Sequence, residues 1–285
     1  MILTGFFFVA VTGTVRYIGS DIPASQAAFI RYVIGLILIA PFLRGAFTGM
    51  DRRLLTTYSI RGFAHALGVI LWFYAMARIP LAEVTAIGYM APIYIAIGAA
   101  LFLGEKLAAR RIMAIVAAFV GAMIILRPGF QDISSGQLAQ VISAPLFAVS
   151  YLLAKGLSMR SSPLVVVGML SAFVTMALAP FAIAVWQPVN LTDCLWLGLV
   201  AIFATLGHLT MTKALHAAPL AVTQPVTFLQ LVWATLLGWV AFGEAVDIFV
   251  LLGGGVIIAA VSFISYREWV LSRQTATPPA AATKT

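Results

Sequence analysis

The chain has 285 residues, of which 62% are hydrophobic and 9% charged, and its mean hydropathy is +1.06. A soluble globular domain carries about a quarter charged residues and about half apolar ones, so soluble enzymes and soluble binding modules are excluded. The net charge of +8 does not point to nucleic acid, because the basic residues are scattered between apolar runs.

A helix crosses the hydrocarbon with roughly 20 apolar residues, and the runs between charges and Gly, Pro or Asp punctuation predict ten spans. They lie near 1–18, 24–43, 58–78, 82–103, 109–127, 136–155, 163–186, 194–213, 220–243 and 248–266. The first is short because Arg16 interrupts it; either Arg16 snorkels to the interface or the span begins upstream. With no basic region before it and no small-residue cleavage site, it reads as a retained span and not a signal peptide. Cys194 is the single cysteine, which excludes an intrachain disulfide and a cysteine-based metal site. Residues 271–285 are rich in Thr, Ala and Pro without periodicity, the composition of a disordered tail.

Basic residues favour the cytoplasmic side. With a cytoplasmic start, Arg16, Arg78 and Arg127 fall outside and Arg31 lies within span two; the other 13 of the 17 Lys and Arg, Arg61 among them, fall inside. Both termini are therefore expected in the cytoplasm. The stretch 75–105 also recurs at 214–244 without a gap: Pro80-Leu81-Ala82 falls on Pro219-Leu220-Ala221, and Gly104-Glu105 falls on Gly243-Glu244. A repeat of five spans, an odd number, enters the membrane the second time upside down. Inverted repeats of this kind are a recurrent plan of secondary transporters, with the solute site near the midplane between the halves.

The RYVIGLILIAPF run of span two, the paired Gly-Glu endings and the duplicated ten-span layout resemble the EamA-type members of the drug/metabolite transporter superfamily, to about residue 270. The resemblance implies an all-α membrane protein of two inverted five-helix repeats, 1–130 and 131–270, followed by the tail 271–285. It also implies a carrier of amino acids, vitamins, nucleotide-like metabolites or drugs. Halves in that family place a proline 13 residues before the Gly-Glu glutamate, which is Pro92 here; in the second half Leu231 holds the place and the proline is Pro225.

The nine acidic residues all sit at or near span ends. A membrane-embedded carboxylate is the usual counter-ion for a cation and the usual proton relay, so neutral, zwitterionic or anionic solutes fit better than lipophilic cations. Arg31 lies about seven residues from the outer end of its span, roughly 10 Å in. It either snorkels to a carbonyl or anchors a solute carboxylate or phosphate. Glu105 and Glu244, following Gly104 and Gly243, fit turn and helix-capping roles. Polar or aromatic stripes at helical spacing mark inward faces: His65, Gly68 and Trp72; Thr85, Tyr89 and Pro92; Ser143, Phe147, Ser150 and Tyr151; Thr205, His208 and Thr212; and Thr223, Thr227, Gln230 and Trp233.

From these faces Trp72, Tyr89, Tyr94, Tyr151 and Trp233 are candidates to stack on a planar solute, with Gln224 and Gln230 as donors and acceptors. His65 and His208 are the candidate proton carriers. Pro92 and Pro225 are expected to interrupt their helices beside a cavity.

The expectation is therefore an inner-membrane secondary transporter of an amino-acid-like or planar vitamin- or cofactor-like solute, working by alternating access. Its site lies between spans three, four, six, eight and nine. Its partners are the lipid bilayer and the solute, without nucleic acid, metal or cofactor, and a homodimer is compatible with it. A neutral drug or metabolite exporter is the alternative. A membrane enzyme would need a catalytic set, and no HExxH, GxSxG or paired intramembrane carboxylates occur; a scaffold would need an exposed surface, and the loops are short.

Overall fold

The computed structural model describes residues 1–43, 51–103, 109–217 and 226–276. Lipid offers no partner to backbone N–H and C=O groups, so a spanning chain must satisfy them within each segment. The described chain accordingly runs as helices α1 (Ile2–Ile18), α2 (Ala24–Ile39, extended by a single-turn 3-10 segment, Ala40–Leu43) and α3 (Arg52–Met76). Next come α4 (Leu81–Gly88), α5 (Ala91–Leu103) and α6 (Ala109–Leu126), then α7 (Ser135–Ser158), α8 (Pro163–Ala184) and α9 (Leu191–Ala217), and finally α10 (Leu229–Phe242) and α11 (Ile248–Ala276). Six helices are long and apolar enough to cross a membrane by themselves, and four shorter apolar helices supply the remaining crossings. Span four is α4 and α5 together, interrupted at Tyr89 and Met90, with Pro92 in the first turn of α5.

Local chemistry sets several helix starts. Asp51 accepts from the Leu54 N–H at 2.6 Å ahead of α3. Ser134 and Gln137 form a reciprocal capping box at α7, and Ser162 with Pro163 opens α8; each cap satisfies a backbone donor that the helix leaves free.

The packing carries the duplication. Matching α1, α2, α3, α4–α5 and α6 with α7, α8, α9, α10 and α11 maps one set of helix contacts onto the other. Helix α3 packs on α7 as α9 packs on α1, and α3 on α8 as α9 on α2; α1 meets α10 as α7 meets α4 and α5. The pairs α2–α8, α6–α11 and α4–α10 map onto themselves, so the protein is two inverted five-helix repeats about a pseudo-two-fold axis. Where α6 crosses α11 the backbones nearly touch: a methyl added to Gly121 would lie 2.7 Å from the Gly253 carbonyl oxygen, and Gly253 faces Gly121 reciprocally. Small residues at such crossings let helices approach where water supplies no driving force.

Two apolar cores result. One is built mainly from α1, α2, α3, α8 and α9, and the other from α4, α5, α6, α10 and α11, with α7 contributing to both. At one end of the bundle the loops are tied together by polar bonds. The Gln26 amide donates to the Gln187 carbonyl at 2.6 Å and accepts from its N–H at 3.1 Å. Tyr74 bonds Ser135, Gln137 donates to Glu83, Arg127 pairs with Asp247, and Arg16 pairs with Glu244 at 3.2 Å. All of these residues lie at one end of the bundle, which the charge count expects to face outwards and which is termed the outer end. Arg16 therefore ends a full helix and has a carboxylate partner.

Candidate functional site

Helix α3 supplies the first wall. Arg61, His65, Gly68 and Trp72 fall at spacings of four, three and four residues, which stacks them on one stripe. Gly68 has no side chain, and the ring of Phe147 on α7 occupies that space, 3.2 Å from where a methyl would stand. The Phe147 ring then lies 5.0 Å from His65, 5.9 Å from Trp72 and 6.2 Å from Tyr151, between centroids. His65 Nδ1 is hydrogen-bonded to Ser150 at 3.0 Å.

The opposite wall comes from α1, α2 and α9. The His208 ring is 5.6 Å from His65 and 5.2 Å from Phe8, and Phe8 meets Trp72 edge-on. Tyr32 meets His65 edge-on and carries the Arg31 guanidinium over its ring at 3.8 Å. Both arginines lie within electrostatic reach of both imidazoles.

The two walls meet ring against ring, so in the present conformation the chamber is a packed, buried cluster: Arg31 is 4%, Arg61 2%, His65 2% and His208 6% exposed. Arg61 Nη1 donates to the Val166 carbonyl at 3.1 Å. Its Nε and His208 Nδ1 are buried with no hydrogen-bond partner among the described residues, and the Tyr32 hydroxyl is buried with Arg31 as its neighbour. The ion pairs among those residues, Arg16–Glu244 and Arg127–Asp247, both lie at the outer end. The chamber thus combines aromatic faces with net positive charge, which suits binding and orientation of a solute.

Of the residues singled out from the sequence, Arg31, His65, Trp72, Tyr151 and His208 come together here. Tyr89, Tyr94, Gln230 and Trp233 do not. The Tyr89 hydroxyl spans the interruption of span four and the start of α10, donating towards the Thr227 and Phe228 carbonyls (3.1 and 3.3 Å) and accepting from the Leu231 N–H at 3.0 Å. It satisfies backbone groups freed by the breaks, so it holds two discontinuous helices together. Tyr94 packs on Phe119, Gln230 faces Gly5 of α1, and Trp233 is 42% exposed on the outside of the bundle. Gln224, Pro225, Gly104 and Glu105 lie outside the described residues.

Gly243 and Glu244 act at the outer end. Gly243 adopts φ 64°, the left-handed conformation that closes many helices. Glu244 then accepts from the Leu81 N–H at 2.9 Å and so caps α4 of the other repeat.

Arg61, grouped with the inner loop by counting charges, is instead a chamber residue, because α3 begins at Arg52 and carries position 61 more than two turns into the helix. Its spacing from His65 was a usable signal. Phe8 and Tyr32 carried none, since aromatics in apolar helices look alike in sequence.

Two inverted five-helix repeats enclosing a polar and aromatic chamber at mid-depth define a membrane carrier of small solutes, not an enzyme. The chain belongs to the EamA-like transporter family, whose model matches residues 1–127 and again 134–266. It is 29% identical over 281 residues to a riboflavin transporter of Vibrio cholerae, covering 96% of this chain and 94% of that protein. It is 31% identical over 281 residues to a riboflavin transporter of Rhizobium johnstonii, covering 97% and 93%. A pseudopaline exporter of Pseudomonas aeruginosa is 25% identical over 269 residues, covering 93% and 94%. The protein is therefore a multi-pass protein of a bacterial plasma membrane, working on small molecules within the bilayer.

Proposed function

We propose that the protein carries a flat, vitamin- or cofactor-like solute, which stacks between Trp72, Phe147 and Phe8 while His65 and His208 hydrogen-bond its polar edge. The observation that carries this reading is the closed aromatic and imidazole chamber, contributed by both repeats. An amino-acid-like solute is the other member of the class that fits the same walls. The riboflavin transporters among the relatives favour the flat one. Transport proceeds by rocking the half 1–130 against the half 131–270 in the inner membrane, with both termini cytoplasmic; the tail expected from residue 271 starts later, because α11 continues to Ala276. Export is the second reading for direction, favoured by the likeness to the pseudopaline exporter.

The test is solute counterflow in proteoliposomes loaded with unlabelled riboflavin and exposed to labelled riboflavin. Accumulation above empty vesicles, reduced in a Trp72→Ala variant, is expected. Absence of exchange with riboflavin and with a panel of flat vitamins and amino acids would remove the solute class. Topology is checked separately by tagging each terminus and probing intact spheroplasts, where protection of both tags is expected.

A further inference from the structure

Arg61 is the buried group least accounted for by packing. It is 2% exposed, one helical turn from His65, with one bond to a carbonyl and a buried Nε that has no partner among the described residues. Arg31 is equally enclosed, and the ring of Tyr32 covers one face of its guanidinium. No carboxylate among the described residues pairs with either arginine. Two guanidinium groups that stay charged in a dry chamber are costly unless something anionic shares it. The unpartnered His208 Nδ1 belongs to the same buried cluster.

We propose that the chamber recognises a solute bearing an anionic group, a carboxylate or a phosphate, which Arg61 and Arg31 neutralise while the flat body of the solute rests against Trp72 and Phe147. This rests on the flat-solute reading above and adds a charge requirement to it. Arg61 is the specificity-determining residue. Its Nε is a free donor on a planar fork, and such a fork matches carboxylate or phosphate oxygens in a way an ammonium cannot. The charge also sets a discrimination: a neutral solute of the same shape would leave both cations uncompensated.

Two pairs of probes share a flat ring and differ in the anionic group: nicotinate with nicotinamide, and riboflavin 5′-phosphate with riboflavin. Binding to the purified full-length protein is measured by tryptophan-fluorescence titration and by the rise in thermal midpoint. The anionic member of at least one pair should bind about tenfold more tightly or better, the scale of a charge-assisted bond. Preference within the nicotinate pair alone assigns a carboxylate, and preference within the flavin pair alone assigns a phosphate. Arg61→Gln should abolish the preference, the anionic member's affinity falling to that of the neutral one. Arg61→Lys, which keeps the charge but not the fork, should restore part of it. If the neutral members bind as tightly as the anionic ones, or if the preference survives in Arg61→Gln, the anion site is overturned and the flat-solute reading stands. If no member of either pair binds, the flat-solute reading falls and this inference falls with it. A variant that is not monodisperse on gel filtration is replaced by Arg61→Lys, whose preference must then drop below that of the unaltered protein.

Discussion

Trp72 touches Phe8 and Phe147 and so spans both walls, which makes it the residue on which the proposed stacking is best tested. An aromatic contact contributes about 0.5–1.5 kcal/mol beyond its buried area. Trp72→Ala should therefore weaken solute affinity by roughly threefold to tenfold without lowering the amount of protein in the membrane. Trp233→Ala, on the exposed side of α10, should leave affinity unchanged, and measuring the two side by side separates contact from general damage. The histidines belong to the same scale. Solute-driven proton movement should vanish in a His65→Gln/His208→Gln double variant, read with a pH-sensitive dye inside proteoliposomes. Persistence would reassign the proton to Glu83, a buried carboxyl hydrogen-bonded to Gln137 near the outer end. The sequence made the imidazoles legible by rarity. It could not rank Arg61 or Trp233, since inward and outward faces of an all-apolar helix have similar composition.

The outer end works at the level of elements. Glu244 closes α10, pairs with Arg16 at the end of α1 and caps α4, so one carboxylate ties the second repeat to two helices of the first. Outward opening must break this tie. Replacing it by Glu244→Gln should favour opening by about 1 kcal/mol, roughly fivefold in population. The readout is labelling by a membrane-impermeant thiol reagent of Ala77→Cys, in the crevice beside Arg78 and Val15, in a Cys194→Ser background. A charge swap of Arg16 and Glu244 should return labelling towards its starting rate; unchanged labelling in Glu244→Gln would mean that the pair does not hold the outer end closed. The repeat register places Lys155 at the position equivalent to Arg16, a shift of 139 residues, so the basic member of the pair recurs on the opposite face. The capping box of α7 is local by contrast. Ser134→Ala should cost about 1 kcal/mol of stability, seen as a lower thermal midpoint with unchanged solute affinity.

Taken as a whole, the molecule is held along its pseudo-two-fold axis by the crossing of α6 and α11. Gly121→Leu would drive a side chain into the Gly253 carbonyl, and overpacking of this kind costs about 1–3 kcal/mol. A lower thermal midpoint in detergent is expected, and a fully tolerated leucine would show the crossing to be looser than drawn. Gap-free matching of 75–105 with 214–244, charge alternation and spans of membrane length determined by themselves that the chain crosses the membrane ten times in two inverted halves, because those features depend on hydropathy and on counting. They also marked Arg31, His65, Trp72, Tyr151 and His208. Tertiary structure decided which marked faces meet. It gathered α1, α2, α3, α7 and α9 around one chamber, turned Trp233 outwards and committed Tyr89 to the backbone of the broken helices. Helix rotation and pairing in a bilayer are set by close packing and by backbone groups seeking partners across helices, and neither is written in the periodicity of any single span.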